Sequence, residues 1–141
     1  MSAMGITVFH TVEEDVILSL LATALEQGST YWIRSVEYDL HDGVSLEDFR
    51  EGGSRQRDTY WHPAQLIPME EGCALIIVDD VEHEEGNPNS HRLGRDEIRK
   101  GLAAMAKKFP RHLSDALTGN GDADTADVFL QCSIFGDVIY G

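Results

Sequence analysis

Trp32 and Arg34 stand two residues apart on a stretch that reads as extended chain. An indole presents a flat face to a planar ring, and a guanidinium presents paired donors to a carboxylate or phosphate. Together they suit an aromatic anion, with the ring on Trp32 and the acidic group on Arg34. Tyr60 and Trp61 offer further stacking faces, and Arg92, Arg95 and Arg99 offer further anion donors. An architectural reading of the same residues stays open. Trp32 would then pack on Leu21 and Ala24 of the preceding helix. Arg34 would reach solvent past its neighbours or pair with a carboxylate. A helix ending at Gln27 aims its carbonyl end at this corner, so an anion held there would need Arg34 to offset that field.

The opposite chemistry is equally visible. Glu82, Glu84 and Glu85 lie in a turn-rich acidic loop, and Glu47 to Glu51 form a second acidic stretch. Such carboxylates would imitate phosphates against a lysine- and arginine-lined groove on another protein. Catalytic patterns are lacking. Asp39-x-His41-Asp42 and Asp79 to Glu85 are the dense ligand clusters, and neither has zinc-finger or zinc-protease spacing. Asp122 to Asp127 lacks the glycine and closing glutamate of a calcium loop and reads more simply as a helix cap. No phosphate loop and no Gly-x-Ser-x-Gly elbow occur. Cys73 and Cys132 sit in apolar runs, where thiols are inert. No catalytic residue, metal ligand or cofactor is assigned, and an enzyme is not expected.

The net charge of −14 over 141 residues argues against direct nucleic-acid binding and for a partner with a basic surface. The charge is segregated: residues 91–112 carry seven basic and two acidic side chains, against four and 23 elsewhere. That island would hold an anion, pair with the acidic part or dock a second subunit. With Trp32, Tyr60, Trp61 and Tyr140 it also supports a homodimer. No apolar run is long enough to span a membrane, and residues 1–5 lack a signal peptide's basic start and apolar core. The expectation is a cytoplasmic protein with reduced cysteines.

The elements that must position these residues follow from periodicity. Thr11 and Glu14 have capping-box spacing, and a helix is expected over 12–27 with Val16, Ile17, Leu20, Leu21 and Ala24 on one stripe. Gly28 is its expected left-handed stop. Residues 31–40 read as a strand, with Trp32, Arg34, Val36, Tyr38 and Leu40 sharing the more apolar face. Residues 41–57 form a long polar loop, with room for a short turn of helix at Ser45 to Phe49. A buried strand covers 73–80, with weaker strands at 59–62 and 91–93, a short one at 138–140, and either a short edge strand or a lead-in at 6–9. Asp96 caps a helix to Lys108, with Ile98, Leu102, Met105, Ala106 and Phe109 inward. Pro110 starts another through Leu117. Asp122, Asp124 or Thr125 caps a last helix that Gly136 ends. The sum is one α+β domain, with about four helices packed on a small, mostly antiparallel sheet.

Two stretches resemble a group of small, mostly uncharacterised accessory proteins of bacteriophages, prophages and plasmids. Residues 24–32, ALEQGSTYW, resemble its A-(L/F)-E-x-G-x-x-Y-W signature. Residues 124–141, with ADVFLQ and FGDVIYG, resemble its C-terminal tail. The resemblance covers both ends better than residues 41–72 and supplies no catalytic residue. It implies a mobile-element protein acting in a host cell. Joined to the acidic charge, it predicts a protein that binds and inhibits a host nucleic-acid-handling defence factor, of anti-CRISPR or anti-restriction type. The alternative is a protein that sequesters a nucleotide signal, with Trp32, Tyr60 or Trp61 stacking the base and Arg34 and the 92–111 island holding phosphate.

Overall fold

The computed structural model describes residues 2–79 and 89–141. In chain order these form α1 (Glu14–Thr23), β1 (Ile33–Asp39), α2 (Pro63–Leu66), β2 (Ala74–Asp79), β3 (Ser90–Leu93), α3 (Arg95–Lys108), α4 (Pro110–Leu117) and α5 (Ala123–Phe135). Among the described residues the fold is therefore α+β, with five helices and a three-stranded antiparallel sheet of order β1-β2-β3. α5 lies at the centre. Thr125, Ala126, Asp127, Phe129, Leu130, Gln131, Cys132 and Ser133 are all buried, so almost no face of it meets water. A helix enclosed all round belongs to a core rather than to a surface.

β2 is the middle strand because its sequence is apolar on both faces. Leu75 and Ile77 are fully buried, together with Leu93 of β3, and close the core against the helices. The outward row pairs Glu37 with Ile76 and Ile76 with Arg92. β1 is less regular than alternation predicts. Its register with β2 shifts between Ile33 and Ser35, which leaves Arg34 as the extra residue of a bulge. Trp32 is consequently buried while Arg34 is exposed, and the two do not share a strand face.

The first helix occupies the expected stretch with different ends. Thr11 and Glu14 form no capping box: the cap is Glu13, without a side-chain bond, and Glu14 pairs with Arg57 instead. After Thr23 the chain widens into a π-helical turn, Ala24–Gly28. Gly28 is not left-handed. Its lack of a side chain serves a close approach, since a Cβ there would come within 2.3 Å of the Ala123 carbonyl oxygen at the start of α5. Gly94, not Asp96, caps α3, and its amide donates to Glu97 at 3.0 Å. Of the expected α3 stripe, Ile98 and Met105 are buried, Leu102 and Phe109 half-buried and Ala106 exposed. Pro110 opens α4 and Gly136 ends α5 at φ 75°, as the sequence predicts, and of the three candidate caps of α5 it is Asp122 that accepts from the Thr125 amide, at 2.9 Å.

Three candidate short strands do not form. Residues 59–62 bend at Thr59 and pair with no strand among the described residues. Gln56 takes the Trp61 backbone instead, donating to its carbonyl at 2.8 Å and accepting from its amide at 3.3 Å. His62 then accepts from the Ala64 amide at 3.1 Å and Pro63 starts α2. At 138–140, the Ile139 and Tyr140 amides donate to the Gln131 side chain at 2.8 and 2.9 Å, which replaces a strand ladder. Residues 6–9 have no partner strand, and Ile6, Val8 and Phe9 are exposed. Among the described residues, no helix is long and apolar enough to cross a membrane.

α3 crosses α5 at Gly101, where an added Cβ would lie 2.5 Å from the Ser133 Cα. No rotamer change relieves a clash with a Cα. Gly101→Ala is expected to cost about 1–3 kcal/mol of stability by overpacking. Gly5→Ala, with nothing within 4 Å of the added carbon, is expected to stay within about 0.5 kcal/mol of the parent. Urea unfolding measures both, and equal midpoints would show that the crossing is not tight.

Candidate functional site

The two stretches with sequence signatures meet in the core. The Asp127 carboxylate accepts four hydrogen bonds: from the Ser29 hydroxyl at 2.7 Å, the Tyr31 hydroxyl at 2.6 Å, the Trp32 indole N–H at 2.8 Å and the Gln131 amide at 3.0 Å. Three of these donors come from the turn between α1 and β1. Gln131, one helical turn after Asp127, holds the C-terminal tail through the Ile139 and Tyr140 amides. Tyr140 in turn stacks on Trp32, with ring centroids 5.3 Å apart and planes 18° apart, and Phe135 packs against both rings. Trp32 is 1% exposed. No ring can stack on it without displacing Tyr140, so the architectural reading of Trp32 is the one the geometry supports.

A second polar pair lies beside this one. Asp79, fully buried on β2, meets His91 Nε2 at 2.8 Å, and the His91 ring packs edge-on to Phe135. Burial pushes the Tyr140 hydroxyl above its ordinary titration range, and the Asp79 carboxylate acts in the same direction. Burial likewise pushes the Cys132 thiol up to about 11, which makes it inert as a nucleophile near neutral pH. Both cysteines are free and buried. Among the described residues, no three His, Cys, Asp or Glu side chains come together as a metal site.

The other predicted site residues are dispersed. Arg34 is exposed on the bulge and, among the described residues, forms no ion pair. Arg92 pairs with Asp39 across the open sheet face. Arg99 meets Asp96 at 3.2 Å on the α3 surface, whereas Arg95 is exposed with no ion pair among the described residues. Glu82, Glu84 and Glu85 lie outside the described residues. Trp61 is half-buried against the core. Tyr60 is 52% exposed and belongs to a different grouping. With Tyr38, Glu47, Glu51 and Arg50 it lines an open depression of about 500 Å³. The loop that carries these glutamates is anchored rather than loose: Phe49 is buried, and Arg55 holds Glu70 at 2.6 Å. Tyr140, expected on a dimer face, is instead spent on the core stack.

Neither a family model, nor a curated protein, nor a solved structure matches the chain. Sequence reasoning missed Asp127 and Gln131. The available signal was an acid and an amide at helical i, i+4 spacing inside an otherwise apolar helix.

Two outcomes follow. Asp127→Leu leaves the buried Ser29 hydroxyl and Trp32 N–H without an acceptor, and is expected to cost about 3–5 kcal/mol; a urea midpoint near that of the parent would contradict the hub. For Tyr31, burial of its hydroxyl end and then the bond to Asp127 raise its titration from 10.0 to about 12. The folded state thus holds this proton more tightly than the unfolded one. Its stabilisation is complete below pH 10 and fades as pH rises toward 12. Cys132, raised from 9.0 to about 11, adds a slope that starts earlier. Tyr31→Phe is expected to lessen the loss of melting temperature above pH 10 and to leave the parts due to Cys132, Tyr140 and Tyr38, which burial also raises. An unchanged alkaline slope would exclude the Tyr31 contribution.

Proposed function

We propose that the protein is an acidic accessory protein of mobile-element type that docks on a basic surface of a host nucleic-acid-handling protein and blocks it. The observation that carries this reading is the depression at Tyr38 and Tyr60, edged by Glu47 and Glu51. Tyrosine is favoured at protein interfaces, because a large rigid ring with a polar tip buries area at low entropic cost. Carboxylates beside it add charge complementarity to lysine and arginine and speed encounter. The net charge of −14 directs the molecule toward basic partners generally, and this depression gives that attraction a shaped contact. The resemblance of residues 24–32 and 124–141 to phage and plasmid accessory proteins agrees with a host target.

A homodimer through the same face is the weaker proposal. A two-fold interface would set this strongly acidic molecule against a copy of itself, which net like-charge repulsion opposes, and Arg50, which stands between Glu47 and Glu51, is already paired with Glu47 at 2.6 Å. The test is affinity capture from host lysate with the parent protein and with Tyr60→Ala/Glu51→Lys. Both changes are at exposed positions, so the fold is expected to persist. The parent is expected to retain a stoichiometric protein partner that roughly tenfold higher salt releases, and the double variant is expected to lose it. Retention by the double variant would remove this face from the proposal. Light scattering that gives a dimer mass for the free protein would favour the self-associating form.

A further inference from the structure

We infer that the groove between the N-terminal arm and α3 is a binding site for an amphipathic anion, a single aliphatic chain ending in a carboxylate or phosphate. The groove shares no lining residue with the tyrosine depression, and its volume is about 620 Å³. That is the size of a small-molecule site, roughly 300–1,000 Å³. Its floor is apolar, formed by Ile17, Met69, Ile98, Leu102 and Leu113. Val8 and Phe9 of the arm make one wall, although they are 63% and 90% exposed. They lean over apolar ground without being covered by it. A bound aliphatic chain would give both the apolar neighbours they lack.

The polar groups of this groove define the head group. Arg95, Arg99 and His10 line it, and no carboxylate does. On a chain with 25 acidic residues and 11 basic ones, a recess whose own polar lining is basic suits an anion, which would compete for Arg95 and Arg99 with Glu70, Glu71, Asp96 and Glu97 of the adjoining recess. Arg95 has no ion pair among the described residues and is free to donate. Arg99 shares its charge with Asp96, but both side chains are about three-quarters exposed, at 73% and 75%, so the pair is weak and easily exchanged for a ligand. Arg95 also stands in the first turn of the fourteen-residue α3, where the helix field favours negative charge. Glu97 in that turn is already engaged with the Gly94 amide. A purely apolar ligand would leave the two guanidiniums unused, and a free phosphate would leave the floor uncovered. An acyl chain with an anionic head uses both.

The test is calorimetry with decanoate, kept below its aggregation concentration, against decanol and decyltrimethylammonium as neutral and cationic probes. Backbone-amide NMR locates the site. Decanoate is expected to bind one-to-one and to shift amides of Ile98, Leu102 and Val8, with decanol weaker by roughly tenfold. Arg95→Gln/Arg99→Gln, both at exposed positions, is expected to bring decanoate down to the decanol level without changing the decanol affinity. Ala103→Glu, which puts a carboxylate at an exposed lining position, is expected to abolish decanoate binding independently. Equal affinity for decanoate and decanol would overturn the site. So would amide shifts elsewhere, or decanoate binding unaffected by the arginine changes. Co-sedimentation with phosphatidylglycerol vesicles distinguishes a membrane source: binding to vesicles without binding to monomeric decanoate would also overturn it.

Discussion

A single buried carboxylate, Asp127, ties the two halves of the chain together. Removing a carboxylate from water costs several kcal/mol even after relaxation. Hydrogen bonds to a charged group contribute about 1.5–3 kcal/mol each once desolvation is counted, so the four that Asp127 receives make its burial favourable and the loss of any donor costly. This arithmetic makes the arrangement specific. The turn after α1 must deliver Ser29, Tyr31 and Trp32 together, and α5 must arrive in the register that places Gln131 as the fourth donor. A shift of α5 by one residue would leave a charge and several donors buried without partners. The tail then follows, because the Gln131 carbonyl oxygen takes two of its amides and Trp32 offers Tyr140 a face.

The same constraint explains the steric details around α5. For Asp127 to reach the turn, the start of α5 must touch Gly28 at backbone distance, and for α5 to be enclosed, α3 must cross it at Gly101. The π-helical widening at Ala24–Gly28 and the bulge at Arg34 flank this turn on its two sides. Each is a local departure from regular structure. Together they let three donors within four residues, Ser29, Tyr31 and Trp32, converge on one carboxylate, which neither a regular helix nor a regular strand would do. A strand sends Tyr31 and Trp32 to opposite faces, and here both side chains reach Asp127.

Much of the fold was legible because it rests on local rules. The apolar stripe of α1, the apolar run of β2, Pro110, the Asp122 cap and left-handed Gly136 each act within a few residues of themselves. What was not legible depends on residues far apart in sequence. Gly28 looked like a left-handed stop because glycine after a helix usually is one; its actual reason is Ala123, 95 positions away. Thr11 and Glu14 had the spacing of a capping box, but Arg57 took Glu14. Residues 59–62 had a strand's composition, but Gln56 supplied the backbone pairing. In each case a long-range or side-chain partner outcompeted the local preference. The candidate site was legible in its parts rather than as a unit. Tyr60 and the acidic stretch at 47–51 were both visible, whereas Tyr38 was read as a core-facing residue and their meeting was not.

The hub also decides where function can reside. Signature stretches often mark a binding site, and the conspicuous aromatics here are Tyr31, Trp32, Phe135 and Tyr140. All are committed to Asp127 or to one another. A ligand that replaced Tyr140 on Trp32 would have to repay the lost stack and the freed tail before gaining anything. The surfaces that carry no such debt are peripheral. Tyr38 stands on β1 and Tyr60 ends a loop pinned by ion pairs, and Val8 and Phe9 stand on an arm with no partner strand among the described residues. Exposed rings such as Tyr38 and Tyr60, set beside a loop that Phe49 and the Arg55–Glu70 pair anchor, still have contact area to bury.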